Sequence, residues 1–149
     1  MKSIFEPDSK NEILQRIEKL SPESKRRWGK MDISQMLAHC ANAMGLATGK
    51  IKPPRQLIGK LLGWLFKPAY YNEKDFPKNI QTIKGGKVED EKDFIFEKQR
   101  LVDAIEEMYS GGEKCCTNHP HPIMGSYTPA EWGKGMYKHL DHHLRQFGA

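Results

Sequence analysis

Residues 128–147 constrain the fold more than any other stretch, because they specify a helix with two histidines in the middle of its apolar side. Thr128-Pro129-Ala130-Glu131 places threonine at the N-cap, proline at the first helical position and glutamate at the third. That is a capping box joined to the site at which helices favour proline. The pattern predicts a helix from Pro129 to about Phe147. With Trp132 as the origin of a wheel at about 100° per residue, Met136, Leu140 and Phe147 fall on its side. His139 and His143 land in the centre of that stripe, one turn apart, while Lys134, Lys138, Asp141 and Arg145 point the other way. Two imidazoles aimed into a core need partners, since an uncompensated buried polar group costs a few kcal/mol.

The rest of the chain reads as further helices. Ile13, Leu14, Ile17 and Leu20 recur at helical spacing behind Asp8 or Ser9 as a cap, predicting a helix over about 9–20. Asp32 is a good N-cap for a second, running to about Thr48. Its Ile33, Met36, Leu37, Cys40, Ala43, Met44 and Ala47 form a broad apolar arc, with His39 near the edge. Residues 50–88 are the least regular part. Leu57, Ile58, Leu61, Leu62, Trp64, Leu65 and Phe66 suggest a short, very apolar helix that Pro68 stops, followed by loop through Pro77, Gly85 and Gly86. Phe94, Leu101, Val102, Ile105, Met108 and Tyr109 predict a third long helix over about 90–109, ended by Gly111-Gly112. No segment alternates at period two. The expected architecture is all-α, a four-helix bundle with an irregular insert between the second and third long helices, formed by residues 1–149 as a single domain.

Composition narrows the function classes. The chain has 149 residues, 29% charged and 38% hydrophobic, with a mean hydropathy of −0.72, the profile of a soluble globular protein. No apolar run approaches the roughly 20 residues that span a bilayer, and no signal peptide opens the chain, so a cytoplasmic address and no membrane partner are expected. Three cysteines, two of them adjacent, give no disulfide framework. The formal net charge of +5 comes without a nucleic-acid-binding motif. Its densest cluster, Lys25-Arg26-Arg27, reads as a solvated turn, and no nucleic-acid partner is expected.

The histidines carry the chemistry. Spacing by four residues stacks His139 and His143 on one helix face, the arrangement by which a helix offers two nitrogen ligands to one metal. His39, on an independent helix and beside its apolar arc, is the natural third donor. Three neutral imidazoles suit zinc or nickel, with iron or manganese also open. They would leave coordination positions free for water or substrate.

The segments Gln35-Met36-Leu37-Ala38-His39, Pro122-Ile123-Met124-Gly125, Thr128-Pro129-Ala130-Glu131-Trp132 and His139-Leu140-Asp141-His142-His143-Leu144-Arg145-Gln146 together resemble the DinB-like superfamily. The likeness spans the chain from the second helix to the C-terminus. It implies a four-helix bundle, usually dimeric, with a metal held at the positions of His39, His139 and His143. Some relatives transfer low-molecular-weight thiols such as bacillithiol, mycothiol or glutathione onto electrophiles, and others are described as metal-dependent hydrolases. The expected function is therefore a metal-dependent transferase or hydrolase acting on a small electrophilic substrate, with a thiol as possible cosubstrate. The alternative is a non-catalytic, metal-stabilised dimer or a small-ligand-binding protein.

No catalytic residue is fixed by the pattern. Gln146 could order a water at the metal or simply cap the core's edge. His142 lies off the stripe's centre, as a supporting hydrogen-bond partner or an exposed residue. His121 could line the mouth of the site. Cys115, Cys116, His119 and His121 form a cluster, but the adjacent cysteines lack the two to four intervening residues that zinc sites prefer. Cys40 reads as a small buried hydrophobe. Tyr70 and Tyr71 could lend a hydroxyl to a pocket. The run around Trp64 could meet a substrate, a membrane surface or a twin subunit, with core packing as the leading reading.

Overall fold

The computed structural model of the chain describes residues 1–79 and 86–149. Among them are five α-helices and no strand: α1 (Pro7–Glu18), α2 (Ile33–Ala47), α3 (Leu57–Tyr71), α4 (Phe94–Gly111) and α5 (Pro129–Gln146), with a 3₁₀ turn (Gly112–Cys115) after α4. The expected loop position Gly85 lies outside the described residues.

Local chemistry sets most of the helix ends. In α2 the Asp32 carboxylate accepts from the Gln35 backbone N–H while the Gln35 side chain accepts from that of Asp32. Thr128 and Glu131 exchange the same pair of bonds at α5. The start of α1 differs from expectation. It begins at Pro7 with Glu6 at the N-cap and no side-chain cap, because proline's preset φ and missing N–H suit the first turn. Ser9 instead donates to Glu6 at 2.9 Å. Helix α4 opens later than expected, where the Asp93 carboxylate accepts from Phe96 N–H at 2.7 Å.

Four helices close a ring in which α2 touches α4 and α5, and α1 touches the same two. Ile13, Ile17, Met36, Leu37, Met44, Leu101, Ile105, Met108, Trp132, Met136 and Leu140 fill its interior. Helix α3 lies outside the ring, against α5.

Helix α3 corrects two expectations. It runs through Pro68 to Tyr71 instead of stopping there. A proline removes only one intrahelical bond, and the polypeptide beyond it is anchored: the Lys138 ammonium accepts no bond but donates to the carbonyls of Ala69 (2.6 Å) and Asn72 (3.0 Å). A cation on the last carbonyls of a helix offsets their unpaired lone pairs and the dipole's negative end. Lys138 is accordingly buried, not solvated as the wheel suggests. Nor is the apolar run core. Leu57, Ile58, Leu61, Leu62, Trp64, Leu65 and Phe66 are all exposed, because Gly59 and Gly63, not the large side chains, face the protein. A Cβ on Gly59 would lie 2.5 Å from Ile123 Cα.

Candidate metal centre

The seam between α2 and α5 brings His39, His139 and His143 together. One ring nitrogen of each lies within 4.8 Å of the others, and the ring centroids are 4.7–4.9 Å apart. His143 is buried and His39 and His139 are half-buried, with the Nδ1 atom of His139 enclosed. Among the described residues no other group of three His, Cys, Asp or Glu side chains converges in this way.

Hydrogen bonds decide where the protons sit. His39 Nδ1 faces the Gly86 carbonyl at 3.2 Å. A carbonyl only accepts, so Nδ1 carries the proton and Nε2 presents a bare lone pair. His143 Nδ1 lies 2.8 Å from Gln146 Oε1. The Gln146 amide is oriented by its other end, where Nε2 donates to the Trp28 carbonyl at 2.8 Å. Oε1 is therefore the acceptor, and His143 Nε2 is bare as well. His39 Nε2 and His139 Nε2 lie 3.0 Å apart. His139 Nδ1 is buried with no hydrogen-bond partner among the described residues. Two bare lone pairs and an under-satisfied third ring in one place form an acceptor-rich cluster that a cation satisfies. Nitrogens that share an ion at about 2.0–2.1 Å sit roughly 3 Å apart, as these two do.

Burial keeps the rings neutral. It lowers the pKa of His39, partly offset by the Gly86 carbonyl. It lowers that of His139 far below the usual range, assisted by His143 and His39, and that of His143 to about 3, assisted by His39. Neutral imidazole is the ligand form. The donor set thus fits a metal ion in number, type and protonation.

The other candidates fall around this cluster in different ways. Both ends of the Gln146 amide are engaged, by His143 Nδ1 and the Trp28 carbonyl, and it holds His143 against the Arg27–Gly29 turn. That turn passes over α5 through the Arg27 N–H bond to Gln146 O at 2.7 Å and through Gly29, whose φ of +83° and contact with the Gln146 amide leave no room for a side chain. His142 stays outside the cluster, between the rings of Trp28 and Phe76, each with its centroid 5.7 Å away. Its pKa is lowered by burial and by Arg145. His121 is buried, with Nδ1 accepting from the N–H groups of Ile123 (3.2 Å) and Met124 (3.1 Å). It fastens the 121–125 loop, and burial lowers its pKa to about 4.

Tyr70 lies with its ring against Gly135, where a Cβ would come within 2.6 Å, and it contacts Phe76, His121 and Tyr127. Burial raises its hydroxyl pKa. Tyr71 meets the Tyr127 ring edge and lies beneath the Lys67 ammonium. Cys40 is buried, its thiol against Met36 Sδ at 3.6 Å, and burial pushes its pKa up. Cys115 bonds the Met108 carbonyl at 3.5 Å, Cys116 is pushed up to about 12 by burial and by Cys115, and His119 meets the Pro53 carbonyl at 3.0 Å. Cys115 and Cys116 stay beside each other while His119 turns to Pro53, and among the described residues they form no second metal-ligand group.

Three contributors went unread in the sequence. The Gly86 carbonyl is a backbone group with no side-chain signature. Trp28 carries the carbonyl that orients Gln146, and Phe76 packs on both Tyr70 and His142. A lone aromatic beside the basic turn, and another between Asp75 and Pro77, were the available signals.

A family model described as "Protein of unknown function (DUF1569)" matches residues 5–149. No curated protein and no solved structure matches the chain.

Proposed function

The chain belongs to the DUF1569 family, and from that premise we propose that it is a metal-dependent enzyme acting on a small electrophilic substrate at the His39–His139–His143 centre. The observation that carries the proposal is the convergence, at one point on the α2–α5 seam, of two imidazoles with bare Nε2 lone pairs and a third ring whose buried Nδ1 has no partner among the described residues. The ring of α1, α2, α4 and α5 is read as a four-helix bundle. The resemblance of the α2 and α5 segments to the DinB-like superfamily supports the same ligands, a homodimer, and thiol transfer or hydrolysis as the reaction.

When bound, zinc or nickel (or iron or manganese) would supply Lewis acidity and depress the pKa of a thiol or water in an open coordination position. The chain's own residues do the rest. His39 and His143 are held in the metal-binding tautomer by Gly86 and Gln146, and their burial keeps protons off the ligand nitrogens. A chain of ring contacts runs outward from His143 through His142 to Trp28 and Phe76, and from Phe76 to Tyr70.

A second reading is a non-catalytic bundle stabilised by its metal. It is favoured by the burial of His143 and by two surface clefts that are lined by other residues, one between α2 and α4 and one around Pro22–Arg26. One experiment separates the two. Elemental analysis of native protein and its His143→Ala variant, with a screen of thiol cofactors against electrophilic acceptors, is expected to show a divalent ion in the native chain alone. Turnover is expected to vanish in a variant that stays folded by circular dichroism. Activity that survives complete metal removal refutes the enzyme reading. Metal without turnover across the screen, with a lower Tm in the variant, selects the second.

A further inference from the structure

The outer side of α3 is apolar, and no described element covers it. Gly59, Gly63 and Tyr70 mark its inner side. At about 100° per residue the opposite side centres on Leu61, with Leu57, Trp64 and Leu65 around it. Leu57 is 76% exposed, Leu61 72% and Trp64 71%. Lys60 and Lys67 share one edge of this face. Lys60 is exposed, and Lys67 is held by Glu131 at 2.9 Å.

The distribution of charge indicates what lies against this face. Residues 33–72 hold five of the 24 Lys and Arg side chains (Lys50, Lys52, Arg55, Lys60 and Lys67) and none of the 19 Asp and Glu. The whole formal net charge of +5 therefore belongs to this stretch, and the rest of the chain is balanced. Within it, α2 is mostly buried, Lys50 is paired with Glu107 and Lys67 with Glu131, and Arg55 donates to the Gly59 carbonyl, so Lys52 and Lys60 are the exposed cations on α3 and the segment that leads into it. A second copy on a twofold axis would set this patch against itself, with Lys60 opposing lysine and no carboxylate in the patch to neutralise it. An apolar helix face edged by the exposed Lys60, with Lys52 in the segment before it and an exposed tryptophan, matches an acidic surface that has an apolar interior.

We propose that α3 is an interfacial helix that lies flat on an anionic lipid surface. No described helix is long and apolar enough to cross a membrane, and 15 residues at about 1.5 Å each fall short of a hydrocarbon core of roughly 30 Å. Lying on a bilayer is a separate physical state from spanning it. It departs from the expectation of no membrane partner, and it is independent of the proposed metal chemistry.

Flotation of the full-length, metal-loaded protein with vesicles tests the assignment. Vesicles of phosphatidylcholine alone are compared with vesicles that also contain phosphatidylserine. The protein is expected to float with the anionic vesicles only and to be released as salt rises. Leu61→Glu changes a strongly exposed position, so the variant is expected to keep its circular dichroism, its Tm and its metal content while losing vesicle binding. Lys60→Glu is expected to weaken binding roughly tenfold. The proposal is overturned if the wild type ignores anionic vesicles, or if Leu61→Glu binds them equally well. It is also overturned if the wild type sediments as a dimer that Leu61→Glu splits into monomers, which would assign the face to a second copy.

Discussion

Gln146 shows how one side chain can set the chemistry of another. Its amide is clamped between the Trp28 carbonyl and His143 Nδ1, which leaves His143 one tautomer and one ring orientation. Such supporting partners typically contribute 10–100-fold to metal affinity. Gln146→Leu keeps the volume and removes both bonds, stranding a buried Nδ1–H. Competition against a chelator of known affinity is expected to show metal binding weakened by roughly tenfold to a hundredfold, with helix content unchanged. Gln146→Glu still accepts from Nδ1 but cannot donate to the Trp28 carbonyl, so it is expected to retain more affinity than the leucine variant. Equal metal affinity in wild type and Gln146→Leu would show that the clamp does not orient the ligand. The Gly86 carbonyl does the corresponding work for His39, but no side-chain substitution there deletes the acceptor.

Among the elements, α5 and α3 mark the two ends of what a sequence discloses. Every determinant of α5 is local: the Thr128–Glu131 box fixes its start, and the apolar stripe with two histidines fixes which side turns inward. The pair His139 and His143 was therefore legible, and His39 followed from the same periodicity in α2. What turns α3 outward is not local. Its strongest hydrophobic run suggests core, yet the backbone of Pro122–Ile123 comes so close that only glycine fits beneath it, at Gly59 and Gly63. A close approach between distant segments leaves no mark on periodicity. The burial of Lys138 has the same origin, since its partners are carbonyls at the far end of α3. Gly63→Val therefore tests the docking. Its side chain would collide with backbone, which cannot move as a flexible side chain can, so α3 is expected to detach. Limited proteolysis is expected to cut residues 52–72 much faster than in wild type, while the ring of α1, α2, α4 and α5 remains protected. An unchanged digestion pattern would show that the glycine stripe does not seat the helix.

At the scale of the whole molecule, the candidate metal centre joins α2 and α5, which are far apart in the sequence, so occupancy and folding would be linked. An ion that binds only the folded chain stabilises it by about 4 kcal/mol when present at a thousand times its dissociation constant. At roughly 2–4 °C per kcal/mol for a chain of this size, stripping the metal is expected to lower Tm by on the order of 10 °C in differential scanning calorimetry, and adding zinc or nickel to restore it. The stripped protein should also respond to acid in a defined direction. Its buried imidazoles have pKa values below that of a free histidine, His143 at about 3 and His39 and His139 lowered likewise. Between the ordinary value near 6.5 and these depressed values the unfolded chain binds protons that the folded chain does not. Stability contributed by the neutral rings is thus complete above about pH 6.5 and drains away as pH falls below it. The Tm of stripped protein is expected to hold from pH 8 to 7 and to fall between pH 6.5 and 5. His143→Ala, which removes one of the buried groups, should show a shallower fall. A stripped protein whose Tm is flat across that interval would mean that the three rings are not held neutral inside the fold, and the donor set proposed for the metal would lose its physical basis.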